Sequence, residues 1–199
     1  VSEGEDEDKF RFEPADHSYW IGKRRLVSVS EALKAGGLAD YSRVPPAVLE
    51  WAAERGRAVH AATHFLDDGD LDVETLDDVI MPYVEAWRGF KAATKLEVFL
   101  REVPGFNEEL GYAGTPDCMA KINGRWWLID IKTYAPNETT GVQLAAYARL
   151  NYMPTVVEMR RAGVWLKPNG KYFLTEYYGK DDWQRFLICL EKAKKTHKG

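Results

Sequence analysis

The stretch Gly114-Thr115-Pro116-Asp117-Cys118-Met119-Ala120-Lys121-Ile122-Asn123-Gly124-Arg125-Trp126-Trp127-Leu128-Ile129-Asp130-Ile131-Lys132 decides how the chain folds. Asn123-Gly124 is a favoured pair for a two-residue hairpin turn, because both positions need positive φ. On either side, residues 118–122 and 125–131 read as strands. Side chains alternate along a strand, so Asp130 and Lys132 share one face while Ile129 and Ile131 pack on the other. Asp is disfavoured in strands, yet Asp130 ends the run Trp126-Trp127-Leu128-Ile129. The turn brings Asp117 back beside Asp130. Two carboxylates at one point, with the backbone carbonyl of Ile131 between Asp130 and Lys132, make an oxygen-rich site suited to a hard divalent cation, Mg²⁺ or Mn²⁺.

Towards the N-terminus, residues 9–13, 18–21 and 24–27 read as short strands forming a small edge hairpin. Ser28-Val29-Ser30-Glu31 has capping-box spacing and opens a helix that ends at Gly36-Gly37. Pro45 and Pro46 suit the first turn of a long helix over 47–66. Thr75-Leu76-Asp77-Asp78 resembles an N-terminal cap for a helix running to about Ala93, with Val79, Val84 and Trp87 among its apolar positions. Residues 96–103 read as a strand ended by Pro104-Gly105, and 110–113 continue the sheet. After the central hairpin come a loop with Pro136, a helix over 141–152, a hairpin from 161–166 and 172–178, and a helix over 182–195. This order implies an α/β sandwich with a mixed sheet.

The chain has 199 residues, 45% hydrophobic and 29% charged, the balance of a soluble globular protein. One domain over 10–199 is expected, preceded by a disordered acidic tail over 1–9. The acids of that tail, Glu3, Glu5, Asp6, Glu7 and Asp8 against Lys9, account for the formal net charge of −4 and leave a neutral body. A neutral body can still carry a basic groove for nucleic acid. No apolar run has the length of a membrane span and no secretory leader is read, so a cytosolic setting in a bacterium or phage-infected host is the expectation. Cys118 and Cys189 have neither disulfide-framework nor metal-cluster spacing. His60 and His64 lie one helical turn apart, but the general base and third ligand of a metalloprotease helix are missing.

Three motifs fall in a telling order: Gly56-Arg57-Ala58-Val59-His60, then Pro116-Asp117 with Asp130-Ile131-Lys132, then Gln143-Leu144-Ala145-Ala146-Tyr147. Together they resemble the PD-(D/E)XK nuclease superfamily, and within it the RecB-like exonuclease branch, over roughly residues 55–150. The resemblance implies a restriction-endonuclease-like sandwich, a central mixed β-sheet flanked by helices. It implies Asp117, Asp130, Lys132, Gln143 and Tyr147 as catalytic residues. His60, Asp117, Asp130 and the carbonyl of Ile131 would hold one or two Mg²⁺ or Mn²⁺ ions, with Glu109 as the acid for a second metal and Glu102 as its competitor. No iron–sulfur cluster is expected.

Beside the cation, Lys132 would orient or help deprotonate the attacking water, or stabilise the pentacovalent phosphorane. Gly56 would let its helix approach the sheet or a DNA phosphate closely. Gln143 and Tyr147 share a helix face, where Gln can bond a lysine or phosphate and Tyr can stack on a base. Arg55, Arg57, Lys121, Arg125 and Arg149 are candidate phosphate contacts. The function implied is a metal-dependent DNA nuclease, an exonuclease on single strands or ends that leaves 5′-phosphates. A structure-specific or nicking endonuclease and a non-cleaving DNA-end-binding module are the alternatives, and a helicase or a replication or recombination protein is an expected partner.

Overall fold

A computed structural model describes residues 9–39, 41–135, 137–152 and 158–196. In chain order the elements are β1 (Phe10–Glu13), β2 (Ser18–Ile21), β3 (Arg24–Ser28), α1 (Val29–Gly36), α2 (Pro46–Asp68), a 3-10 turn (Val73–Thr75), α3 (Met81–Thr94), β4 (Glu97–Arg101), β5 (Gly105–Asn107), β6 (Tyr112–Gly114), β7 (Cys118–Ile122), β8 (Arg125–Lys132), α4 (Thr139–Tyr147), β9 (Arg160–Leu166), β10 (Tyr172–Glu176) and α5 (Asp182–Thr196). Residues 1–8 of the acidic tail and Pro136 lie outside the described residues.

Asn123 and Gly124 turn the chain with φ of 51° and 73°, as a primed hairpin turn requires. β7 and β8 then pair antiparallel from Ile122↔Arg125 to Cys118↔Ile129. They sit inside a mixed sheet of order β10-β9-β8-β7-β4, in which β8 and β9 run parallel. The alternation read from the sequence sorts the core. Ala120, Trp127, Ile129 and Ile131 pack with Val59 and Ala62 of α2 and Tyr83, Val84, Trp87 and Phe90 of α3. Met119 and Leu128 pack the opposite way, against α1, α4 and α5 through Leu33, Val142, Leu144, Phe186 and Leu190. A mixed sheet with helices on both faces is the expected restriction-endonuclease-like sandwich.

The structure departs from the sequence reading at four places. Residues 110–113 do not continue the central sheet: β6 pairs parallel with β3 and antiparallel with β5. The first three strands are therefore part of a second sheet, β1-β2-β3-β6-β5, and not an isolated edge hairpin. Thr75 ends a 3-10 turn instead of capping α3, whose start is set by Pro82 in its first turn, and Val79 is exposed before the helix begins. α4 ends at Tyr147, short of the expected 152. Elsewhere the local signals hold. Ser28 and Glu31 form the reciprocal capping box of α1, and Gly37 closes that helix with φ 81°. Among the described residues no helix is long and apolar enough to cross a membrane.

Candidate active site

The hairpin carries its acids at the end away from the Asn123-Gly124 turn. The Asp117 carboxylate is oriented by the backbone opposite: Oδ2 accepts a hydrogen bond from the amide of Ile131 at 2.6 Å. The carbonyl of the same Ile131 accepts from His60 Nε2 at 3.0 Å, which ties α2 to β8 and makes Nε2 a protonated nitrogen. His60 Nδ1 then faces two acids, Asp117 Oδ1 at 3.6 Å and Glu102 Oε1 at 3.7 Å. Burial pulls the imidazole pKa down, but Asp117 and Glu102 outweigh it and raise it to about 9.

Glu102 reaches this point through an irregular backbone. The β4–β7 ladder shifts register between Val98 and Leu100, and Glu102 takes the left-handed conformation with φ 44°, which disfavours side chains other than Gly, Asn and Asp. Its amide donates to the Asp117 carbonyl at 3.1 Å. Its other oxygen lies 3.5 Å from His64 Nδ1, and His64 Nε2 is 3.1 Å from Asp68 Oδ2. The bond from His60 holds the Glu102 pKa below the usual carboxylate range.

Asp130 is 1% exposed. Lys132 Nζ lies 2.6 Å from its Oδ2 in an ion pair, and no other donor among the described residues reaches either carboxylate oxygen. Burial pushes the Asp130 pKa up, against the pull of Lys132. Burial opposes the charge on Lys132 as well, yet Asp130 overcomes it and raises the lysine pKa. The site opens into a cleft of about 820 Å³ whose lining includes Gly56, Arg57, His60, Glu102, Asp117 and Lys132.

No family model matches the chain, and no curated protein matches it. Solved structures similar to it include an alkaline exonuclease (LHK-Exo) from Laribacter hongkongensis, at TM-score 0.43 and 13% identity over 87% of this chain and 90% of that one. The complex of LHK-Exo with dAMP is similar at TM-score 0.37 and 15% identity, over 87% and 90% of the two chains. SSO0001 is similar at TM-score 0.39 and 15% identity, over 84% and 75%. Likeness at this level assigns no residue a role, and the site is read from its own geometry.

The remaining candidates divide. Gln143 Nε2 donates to the Tyr147 hydroxyl at 3.2 Å, and Gln143 lines a smaller cavity of about 260 Å³ that also reaches Lys132. Tyr147 is buried in the core against Gly114, so it cannot stack on a base; α4 is covered nearly all round. Glu109 sits exposed in the β5–β6 turn, at the opposite end of that hairpin from Gly114. Glu102, the other acid considered, lies beside His60 and Asp117.

Gly56 faces the cleft, and a Cβ there meets nothing within 4 Å, which corrects the expectation of a close approach to the sheet. Arg57 lines the cleft, and Arg55 donates to the Thr133 carbonyl at 3.3 Å. Lys121 and Arg125 lie towards the Asn123-Gly124 turn, Lys121 over the Trp126 ring at 4.6 Å, and Arg149 packs over Trp183 at 4.2 Å. Those three are not brought to the cleft. Residues the sequence reading passed over line it instead: Phe12, His17, Thr115 and Tyr134. Only the turn-forming Pro14-Ala15-Asp16 before His17 hinted that a loop projects there.

A divalent cation has donors of the right kind at this site. The buried Asp130 carboxylate, ion-paired with Lys132 at 2.6 Å, and the Asp117 carboxylate beside it are the hard anionic oxygens such a cation would take. Among the described residues, no three His, Cys, Asp or Glu side chains are grouped so as to hold a metal ion. His60 is engaged with the Ile131 carbonyl and Lys132 with Asp130. Binding would require these side chains to leave their present partners.

Proposed function

We propose that the chain is a metal-dependent DNA nuclease, an exonuclease acting on single strands or DNA ends and leaving 5′-phosphates. The observation that carries this reading is the buried Asp130 carboxylate, ion-paired with Lys132 and next to Asp117, with Lys132 and Asp117 both lining an open cleft. Asp117, Asp130, the Ile131 carbonyl and His60 would hold Mg²⁺ or Mn²⁺, with Glu102, not Glu109, as the further acid. The cation supplies positive charge to the scissile phosphate and to the departing 3′-oxygen.

The chain's own groups do the rest. The Ile131 amide fixes the Asp117 carboxylate, so one oxygen keeps a constant orientation towards the cleft. Lys132, whose pKa Asp130 raises against the pull of burial, would serve as a donor that orients the attacking water and stabilises the pentacovalent phosphorane. Gln143 lines the same small cavity as Lys132.

The test is digestion of end-labelled linear single-stranded and duplex DNA, with covalently closed circles alongside, in Mg²⁺, Mn²⁺ or EDTA, for wild type and Lys132→Ala. Metal-dependent loss of linear DNA only, absent in the variant, is expected. Cutting of closed circles would make the enzyme an endonuclease. DNA binding without cleavage in any metal would overturn the catalytic reading, unless adding a helicase or recombination partner restores cleavage.

A further inference from the structure

The cleft has a second wall that the proposed chemistry leaves unexplained. Opposite α2 it is lined by Phe12, Pro14 and His17, with Thr115 between that wall and Asp117. His17 is exposed and takes the left-handed conformation, φ 54°, which His adopts more readily than most side chains. Its Nε2 lies 3.0 Å from the Tyr19 hydroxyl, which lies 2.9 Å from Thr115 Oγ1. Tyr19 is buried. The His17 ring meets Phe12 edge-on at 5.1 Å, and Phe12 stacks on Tyr19 at 4.9 Å. A turn needs none of this, since Gly or Asn at position 17 would make it with less strain. The arrangement holds an aromatic rim rigidly to the loop that carries Asp117.

The cleft's volume, about 820 Å³, lies in the roughly 300–1,000 Å³ range of sites that enclose one small ligand. It has room for a few nucleotides of one strand. Arg57 of α2 and Lys132 of β8 line the cleft together with the rings of Phe12 and His17 from the N-terminal strands. Single-strand sites divide the work in this way, with cations tracking phosphates and aromatic faces taking bases.

We propose that Phe12 and His17 form the base-stacking wall of a single-stranded DNA subsite, with the phosphates turned towards Arg57 and Lys132. The inference rests on the nuclease reading for its choice of ligand, and it makes the unpaired strand the substrate class.

The test is fluorescence anisotropy of a labelled oligothymidylate and of a blunt duplex, in EDTA at low salt, with the full chain as wild type, His17→Asn and Phe12→Leu. Asn tolerates the left-handed backbone, so His17→Asn removes the ring and keeps the turn. Leu keeps apolar packing on Tyr19, and thermal melting identifies which variants remain folded. Wild type is expected to prefer the oligothymidylate, and each folded variant to bind it about tenfold more weakly, the loss of one base–aromatic stack, with duplex binding unchanged. Unchanged single-strand binding in the folded variants, or a wild type that binds duplex as tightly as single strand, overturns the wall. If wild type binds neither DNA, the nuclease reading falls with it; if it binds DNA independently of both rings, only the wall falls.

Discussion

Asp117 Oδ2 accepts a 2.6 Å hydrogen bond from the amide of Ile131, one step beyond the last paired residues of the β7–β8 ladder, Cys118 and Ile129. The same ladder, extended by one step, sets Asp117 opposite Asp130. Two carboxylates facing across a strand pair repel, so the geometry is held by the backbone bond on one side and by Lys132 on the other.

That bond separates orientation from charge at position 117. An asparagine keeps an oxygen for the Ile131 amide and loses the negative charge; an alanine loses both. Asp117→Asn should abolish metal-dependent cleavage with little change in melting. Asp117→Ala should abolish cleavage and also cost about 1–3 kcal/mol, the desolvation penalty of a part-buried amide left without an acceptor. Denaturant unfolding in EDTA of both variants checks this, and equal stability would remove the orienting role from the Ile131 amide.

Lys132→Ala leaves Asp130 as a buried carboxylate with no charged partner. The cost should reach about 3–5 kcal/mol where Asp130 is ionised. Asp130 already has a raised pKa, from burial above all, and removing the ammonium raises it further. A group whose folded pKa is raised stabilises the fold in its protonated form, fully so below its unfolded pKa, and that contribution is lost as pH rises through the folded value. The variant's deficit relative to wild type should therefore be small at acid pH and widen towards neutrality. Melting curves across pH in EDTA measure it, and a pH-independent deficit would contradict the pairing.

Glu102 and Glu109 are told apart by place. Glu102→Gln should lower cleavage strongly and Glu109→Gln should leave it unchanged, read by the same digestion of linear DNA. Glu102→Gly should also lose cleavage, yet stabilise the fold by about 1 kcal/mol, because glycine accepts φ 44° without the steric cost that glutamate bears there. A destabilised Glu102→Gly would mean that its ion pairs with His60 and His64 outweigh the backbone strain.

What the sequence made legible was local. Asn123-Gly124 sets the hairpin, the two-residue period sets the faces of Ile129, Asp130, Ile131 and Lys132, and Ser28 with Glu31 marks the start of α1; each signal lies within a few residues of what it determines. The parallel pairing of Val27 with Tyr112 has no local signature, so β6 was read into the wrong sheet. Glu102 depends on a register shift in β4 and on its own left-handed backbone, neither of which its neighbours in sequence announce. Tyr147 misled for the opposite reason. Its spacing from Gln143 suggests a polar helix face, but α4 is enclosed by both the sheet and α5, and of the pair it is Gln143 that lines a cavity.

Gly56 and Gly114 predict opposite outcomes for the same substitution. Gly56 lies inside α2, where glycine costs about 0.5–1 kcal/mol relative to alanine, and an added Cβ meets nothing within 4 Å. Gly56→Ala should therefore raise stability by about that amount. At Gly114 the Cβ would stand 2.5 Å from Tyr147 Cε1 and 3.1 Å from Val29 Cγ2, two buried side chains. Gly114→Ala should cost about 1–3 kcal/mol through overpacking and disturb the Gln143–Tyr147 bond. Digestion assays add the functional half. The new methyl of Gly56→Ala projects into the cleft beside Arg57, so the more stable variant should be the slower nuclease if DNA runs along α2. Full activity in a stabilised Gly56→Ala would place the strand elsewhere in the cleft.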